Sequence, residues 1–266
     1  MNSRRTRAAF AAALLAVAGL ATAAPAHADD RPTVVLVHGA FADESGWSEV
    51  AAQLGADGYP VRTFDNPLRG PAYDSERLAE FLDGIDGPIV LVGHSYGGVV
   101  VTNTHDPDVR ANVYVAAFAP QQGQLMLELL NPIPYPGSLL LPPVLLAGPV
   151  PDATSPVGVN LDAFVTEPFF REVFCQDVPQ AKAAEMYRNQ KPAAVVTNLE
   201  PTGNPSWATV PSWYLVAGQD RVLPPALQRD TAAKVAPGRT REVAASHAAY
   251  VSQPGAVADI VREAAG

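Results

Sequence analysis

The amino-acid sequence predicts an α/β fold in which helices cover a doubly wound, mostly parallel sheet that carries a helical cap as an insertion. Three observations support this prediction. Four short apolar runs lack the polar alternation of half-exposed strands, helical patterns lie between most of them, and one long segment interrupts the alternation.

The four apolar runs are the predicted buried strands, at residues 33–37, 88–92, 112–118 and 212–217. Uninterrupted apolar runs are typical of strands that are buried on both faces, as in a parallel sheet covered by helices. The predicted helices span residues 45–55, 75–82, 96–104, 225–235 and 254–264. Strands that alternate with helices in this way favour a doubly wound sheet.

The segment 120–211 breaks this alternation, because it contains no clear buried strand. Its first half is rich in Pro and Leu, and its second half has helical patterns at residues 162–174 and 180–189. A plain loop of this length is improbable in a compact domain. We therefore predict that 120–211 is a cap or lid inserted into a core formed by residues 29–119 and 212–266. Apolar residues exposed on the cap would then face a substrate pocket.

The first 28 residues have the layout of a secretory signal peptide. Three Arg precede an apolar run at 8–24, and the small residues Ala26 and Ala28 mark the expected cleavage point. The run is too short and too rich in Ala for a transmembrane span. We therefore expect a secreted protein with no stable membrane anchor. The adjacent Arg4 and Arg5 leave the twin-arginine route open as the means of export.

The composition indicates an acidic chain with a single cysteine. The formal net charge is −9, and removal of residues 1–28 would change it to −12. This charge disfavours nucleic acids and anionic membranes as partners. Cys175 alone cannot form an internal disulfide, and no cluster of His and carboxylates has metal-ligand spacing. We expect no metal and no cofactor, and the sequence contains no indication of the oligomeric state.

The segment 93–98 (GHSYGG) carries the strongest chemical signal. It follows one predicted strand and precedes a predicted helix, which is the context of the G-x-S-x-G turn that presents a nucleophilic serine. Gly93 and Gly97 remove side chains that would clash in so sharp a turn. The hydroxyl would lie near a helix N-terminus, where negative charge is favoured. We predict that Ser95 is the nucleophile.

A serine nucleophile needs a base, and the base needs an acid that orients it. In this arrangement the chain order is serine, acid, histidine. His247 lies after the late strands, on the loop before the last predicted helix, and Asp220 directly follows the strand at 212–217. Asp230 lies inside a predicted helix and is better suited to a solvated charge. We predict that His247 is the base and Asp220 its partner.

Two backbone amides complete the predicted chemistry. The segment 38–41 (HGAF) follows the first strand, and one of its amides would join the amide of the residue after the serine in an oxyanion hole. We choose Ala40 and Tyr96 for these two positions. The side chains that we expect to contact the substrate are Phe41, Trp47 and His94.

These residues resemble the α/β-hydrolase superfamily, in the cap-bearing branch shared by plant methyl-ester esterases and hydroxynitrile lyases. The segments that carry the resemblance are 37–41 (VHGAF) with Trp47, 93–98 (GHSYGG), Asp220, 246–247 (SH) and 251–254 (VSQP). The sequence also resembles actinobacterial secreted hydrolases of that branch. The resemblance covers essentially the whole chain after residue 28. It implies ester hydrolysis without a cofactor, with Ser95, Asp220 and His247 as the catalytic triad.

Three classes of function stay open. We prefer a carboxylic ester hydrolase that acts on small or medium apolar substrates. A lyase or cofactor-free haloperoxidase could use the same triad. The lyase resemblance implies a lysine of the cap near the nucleophile, and neither Lys182 nor Lys191 has a matching context. A non-enzymatic binding protein is disfavoured because serine, acid and histidine are all present.

Overall fold

The computed structural model describes residues 31–266, so the predicted signal peptide at 1–28 lies outside the described residues. The strands are β1 (Thr33–Val37), β2 (Val61–Phe64), β3 (Ile89–His94), β4 (Val109–Val115), β5 (Leu145–Pro151), β6 (Val159–Val165), β7 (Ala193–Ala194), β8 (Ser212–Ala217) and β9 (Thr240–Val243). The α-helices are α1 (Ser48–Ala56), α2 (Pro71–Leu82), α3 (Gly97–Asn103), α4 (Met126–Leu129), α5 (Glu167–Phe174), α6 (Gln180–Asn189), α7 (Pro225–Val235), α8 (Ala249–Ser252) and α9 (Pro254–Ala265). None of these helices is both long and apolar enough to cross a membrane.

The central sheet has six strands in the order β2-β1-β3-β4-β8-β9, and every neighbouring pair is parallel. This confirms the predicted doubly wound sheet. Every residue of β1 and β3 is buried, because helices flank the sheet. The edge strands β2 and β9 keep several residues in contact with solvent. The carboxyl ends of β1, β3 and β8 therefore share one edge of the sheet, where ligands bind in open α/β sheets.

The segment 120–211, which we call the cap, departs from the predicted helical insertion. It contains a three-stranded antiparallel sheet in the order β5-β6-β7. The expectation of no buried strand is therefore wrong. The predicted helix at 162–174 is also wrong in its first turn, because Asp162–Val165 belongs to β6 and the helix begins at Glu167. The predicted helix at 180–189 is confirmed as α6.

Ion pairs from one loop of the core fasten the cap. The guanidinium of Arg69, between β2 and α2, donates to Asp152 at 2.9 Å and to Asp162 at 2.6 Å. The ammonium of Lys191 donates to the carboxylate of Asp65 and, at 2.9 Å, to the carbonyl of Asn66. The cap is thus attached to the same core loop by its hairpin and by the segment that returns from α6.

Candidate active site

Ser95 occupies a strained turn between β3 and α3. Its φ of 52° lies in the left-handed region, which a residue with a side chain adopts only when its surroundings enforce it. Two glycines allow neighbouring backbone segments to approach this turn closely. A Cβ at Gly93 would lie 2.7 Å from the carbonyl oxygen of Gly97, and one at Gly97 would lie 2.5 Å from that of Val37. The local structure agrees with the predicted nucleophile turn.

The side chains of Ser95, His247 and Asp220 form one chain of hydrogen bonds. Nε2 of His247 lies 2.9 Å from Oγ of Ser95, and Nδ1 lies 2.7 Å from Oδ2 of Asp220. An ionised carboxylate only accepts, so the geometry fits a histidine that carries its proton on Nδ1 and can accept one at Nε2. All three side chains are buried. The structure brings the three predicted residues together in the order that base catalysis requires.

Asp220 is fixed by donors on both oxygens. The amides of Val222 and Leu223 donate to Oδ1 at 2.7 and 2.9 Å. The side-chain amide of Gln228, on α7, donates to Oδ2 at 2.8 Å, and its own oxygen accepts from the amide of Ala217. These bonds hold the carboxylate of Asp220 against His247. Gln228 could not be predicted from the sequence, because a buried glutamine on a helix has no distinguishing pattern.

The predicted oxyanion-hole residues lie at the same cavity as Ser95 and His247. Within residues 31–266, neither the Ala40 amide nor the Tyr96 amide donates a hydrogen bond to the protein. Gly39 brings the two segments together, since a Cβ there would lie 2.7 Å from Cβ of Ser95 and 3.2 Å from the Tyr96 nitrogen. Both amides are therefore available to a ligand oxygen beside the serine.

The loop that carries Ala40 is held by the cap. Phe41 has a φ of 62°, and its amide donates to the carbonyl of Lys191 at 3.1 Å. Its ring lines the cavity, as expected of a residue that contacts substrate. The predicted substrate contact of Phe41 is compatible with this position.

Trp47 and His94 do not line the cavity beside Ser95, and both are fully buried. Their prediction as substrate-contacting residues is corrected. Successive side chains of a strand point to opposite faces, so the neighbour of Ser95 points away from the cavity. Nε2 of His94 donates to the carbonyl oxygen of His247 at 2.9 Å, and its ring lies 4.6 Å from that of His247. Burial lowers the pKa of His94 well below its usual value, which keeps this ring neutral.

A buried hydrogen bond supports Tyr96, whose amide is one of the two free donors. Its hydroxyl donates to Oδ2 of Asp74, on α2, at 2.7 Å. The same carboxylate accepts from the amides of Arg69 and Gly70. Burial raises the pKa of Asp74, and burial together with Asp74 raises that of Tyr96. The sequence analysis missed Asp74, since nothing in its local pattern indicates a partner 22 residues away.

The cavity is small and mostly apolar. Its volume is about 80 Å³. Besides Ser95, His247, Ala40, Phe41 and Tyr96, its lining comprises Phe118, Met126, Leu130, Leu140, Leu145, Ala163, Ala193, Thr197, Asn198 and Val222. No Lys, Arg, Asp or Glu belongs to this lining, so the cavity suits a neutral apolar group.

The remaining reactive residue types lie elsewhere. Lys182 pairs with Glu185 and Lys191 with Asp65, and neither lysine lines the cavity. Cys175 is buried, which raises the pKa of its thiol to about 12. In the described part of the chain, no group of three or more His, Cys, Asp or Glu could hold a metal ion.

Two relatives are similar to this chain in sequence. The carbendazim hydrolyzing esterase of Nocardioides sp. is 35% identical over 113 residues, which cover 36% of this chain and 46% of that protein. The chain thus matches less than half of that relative. The pyrethroid hydrolase of Sphingobium wenxiniae is 29% identical over 254 residues, which cover 86% of each protein.

The fold has solved counterparts. A crystal structure of polyneuridine aldehyde esterase superposes with a TM-score of 0.74 at 18% identity, covering 88% of this chain and 98% of that one. This likeness shows the fold. The family model described as "Alpha/beta hydrolase family" matches residues 34–260, which include Ser95, Asp220 and His247. The chain therefore belongs to the alpha/beta hydrolase family.

Proposed function

We propose that the protein is a serine hydrolase that cleaves neutral carboxylic esters with small or medium apolar groups through an acyl-enzyme. The observation that carries the proposal is the continuous hydrogen-bonded chain from Asp220 through His247 to Ser95, which ends at an apolar cavity. The names of the relatives, an esterase and a pyrethroid hydrolase, support the same class of reaction.

Acylation follows from the positions of the polar groups. Oγ of Ser95 attacks the ester carbonyl carbon while Nε2 of His247 takes the hydroxyl proton. The carbonyl electron pair moves onto the oxygen, and the free amides of Ala40 and Tyr96 donate to it. Asp220 stabilises the imidazolium that forms. The carbonyl then re-forms, the bond to the alcohol oxygen breaks, and His247 returns the proton to the departing alcohol.

Deacylation repeats these steps with water. His247 takes a proton from a water molecule, whose oxygen attacks the acyl carbon. The bond to Oγ of Ser95 breaks, and Ser95 recovers its proton from His247. The products are one carboxylic acid and one alcohol, and the enzyme returns to its starting state without a cofactor.

Labelling with a serine-directed phosphonate tests the nucleophile. The wild type should bind one probe covalently, at Ser95, and should hydrolyse aryl esters of short acyl chains. Ser95→Ala should lose both properties while keeping its fold, whereas Ser45→Ala, a change in an exposed segment, should keep both. Labelling that persists in Ser95→Ala would contradict the proposal. Cyanohydrin cleavage without ester turnover would indicate the lyase alternative.

We also propose that the protein is exported and cleaved after Ala28. The support is the basic start, the apolar run and the small residues before two Asp. N-terminal sequencing of protein from the culture medium should begin at Asp29. Full-length protein retained in the cytoplasm would contradict this proposal.

A further inference from the structure

A larger groove on the cap adjoins the cavity beside Ser95. The groove is open to solvent and has a volume of about 850 Å³, roughly ten times that of the inner cavity. The residues that line both are Leu130, Leu140, Leu145, Ala163 and Asn198. Because these five residues are shared, only their side chains lie between a molecule bound at the serine and the groove.

The two spaces differ in what they can hold. The inner cavity has room for a compact group of a few non-hydrogen atoms. The groove lies within the range of 300–1,000 Å³ that is typical of sites for small organic molecules. An ester that reacts at Ser95 must place its two arms on different sides of the carbonyl carbon. One space therefore suits a short arm and the other a long one.

Leucine is the commonest residue in the lining of the groove, and several of these leucines are exposed. Leu127, Leu141, Leu146 and Leu199 belong to it, and between 45% and 62% of each side chain is exposed. Single exposed leucines need no explanation, but a contiguous patch of them marks a binding surface.

Charge is nearly absent from the groove. Among the described residues that line it, only Glu128 is charged, and its carboxylate accepts a hydrogen bond from the amide of Leu125 at 3.1 Å and so caps α4. An anionic ligand would therefore find no cationic partner in this part of the structure. A long neutral apolar group would bury leucine side chains that are otherwise in water.

We propose that the preferred substrates are neutral esters with one compact arm, held beside Ser95, and one long apolar arm that lies in this groove. The inference rests on the proposed ester hydrolysis and adds the shape of the substrate to it. The lining that the groove shares with the catalytic cavity favours a substrate arm over a lipid surface or a second copy of the chain, since neither of these would need to lie next to the serine.

Two matched series of esters test the shape. Acetate esters carry alcohols of two to ten carbons, and methyl esters carry acyl chains of the same lengths. In one series kcat/KM should rise by up to about fourfold for each added methylene, which corresponds to the free energy of burying one methylene group. In the other series it should fall once the inner cavity is full, and esters with two long arms should be poor. A flat or falling profile in both series would overturn the inference.

Two variants locate the long arm. Leu141→Asn and Leu199→Asn together should lower the ratio of kcat/KM for the longest to the shortest ester of the rising series by about tenfold. Val157→Asn is the matched control, because Val157 is 81% exposed and lies outside the groove. An unchanged ratio in the double variant, or an equal fall in the control, would overturn the assignment.

Phosphonate labelling separates the two proposals. If Ser95 is labelled and short esters are cleaved without any chain-length preference, the groove inference fails and the proposed function stands. If Ser95 is not labelled and no ester is cleaved, the proposed function fails. Two other results would overturn the inference, each with an unchanged preference among esters. In the first, the double variant at Leu141 and Leu199 loses binding to phosphatidylcholine vesicles, and in the second, it loses self-association in size-exclusion chromatography.

Discussion

The core and the cap contribute opposite kinds of surface to the same site. On the core side, Ser95, His247 and Asp220 are buried and joined by hydrogen bonds of 2.7–2.9 Å, and glycines leave no spare space around the turn. On the cap side, the leucines of the groove are partly exposed, and the attachment to the core combines buried apolar contacts, such as those of Phe174, with the ion pairs of Arg69.

This difference assigns catalysis to the core and the choice among substrates to the cap. Catalysis by a triad requires polar atoms held to within a fraction of an ångström, which a close-packed core provides. Selection among apolar esters requires only a surface of suitable shape, which can be less rigid. Changes in the core should therefore alter the rate for every ester, and changes in the cap should alter stability and the preference among esters.

Asp220→Asn should give the largest effect and acts on the core alone. The amide is nearly isosteric but presents a donor to His247, which favours the wrong tautomer and removes the stabilisation of the imidazolium. We expect kcat to fall by a factor of about 10² to 10⁴ for short and long esters alike, with little change in KM.

The matched control for this change is Asp230→Asn. Asp230 lies on α7 and accepts a hydrogen bond from the Tyr135 hydroxyl at 2.9 Å, on an exposed surface. The activity of the Asp230→Asn variant should stay within about twofold of wild type, because substitutions on the surface usually have small effects. Steady-state kinetics on both variants decides the point: a silent Asp220→Asn with a damaging Asp230→Asn would refute the assignment of the acid.

Gly39→Ala should give the next largest effect. Its Cβ would lie 2.7 Å from Cβ of Ser95 and 2.8 Å from the His94 carbonyl oxygen, so the loop that carries Ala40 must shift. We expect kcat to fall by about 10- to 100-fold, somewhat less than the complete loss of one oxyanion donor. Gly55→Ala on α1 is the control, because a Cβ there meets no atom within 4 Å. It should keep full activity and gain a little helix stability.

The core could be predicted because burial on both faces dictates its sequence. The strands β1, β3 and β8 are continuous apolar runs, and the positions of Ser95 and Asp220 follow from where β3 and β8 end. His247 was predicted from its place after Asp220 and before the last helix. The edge strands β2 and β9 gave no such signal, since their residues are partly exposed and polar. The misplaced His94 shows a second limit: it is next to Ser95 in the sequence, but successive side chains of a strand point to opposite faces. Trp47 lies in a short helix between β1 and α1, and its full burial could not be predicted from the motif.

The cap could not be predicted at the same level. The strand β5 contains Pro149 and Pro151 and stays largely exposed, so it lacks both the composition and the periodicity of a strand. In β6, Asp162 is buried only because Arg69, 93 residues earlier, supplies its partner. Contacts of such sequence separation leave no local pattern.

Arg69→Gln should affect the cap and spare the chemistry. The change removes the positive charge between Asp152 and Asp162, which are 6% and 7% exposed and would both lose their cationic partner. We expect the free energy of unfolding to fall by about 2–4 kcal/mol, measured by urea denaturation. Limited proteolysis should cut within 120–211 first. Arg229→Gln, at an exposed pair with Glu242, should change neither measurement. Cleavage that begins in the core would contradict the attachment role of Arg69.

The smallest expected effect is on the acid stability of the cap. Hydrogen bonds from Thr154, then Asn160 and Arg69, hold the pKa of Asp152 well below its usual range. A carboxyl group with a lower pKa in the folded state stabilises the protein at pH values above its unfolded pKa, which is about 3.9. That contribution starts to decline as the pH falls below about 5, and it is lost completely only below the lowered pKa of the folded state.

Asp152→Asn isolates this contribution from those of the other carboxyl groups. The variant should be less stable than wild type by about 1.5–3 kcal/mol at pH 7, the usual value of a hydrogen bond to a charged group. The difference should begin to shrink as the pH falls through about 4, because the carboxyl of the unfolded wild type then takes up a proton, whereas the folded carboxyl keeps its charge and the amide does not titrate. Urea denaturation of both proteins across this range measures the difference. Because Asp152 lies on the cap and away from Ser95, the substitution should leave kcat for short esters unchanged. A fall in kcat that accompanies the loss of stability would mean that the effects of the cap and the core are not separable.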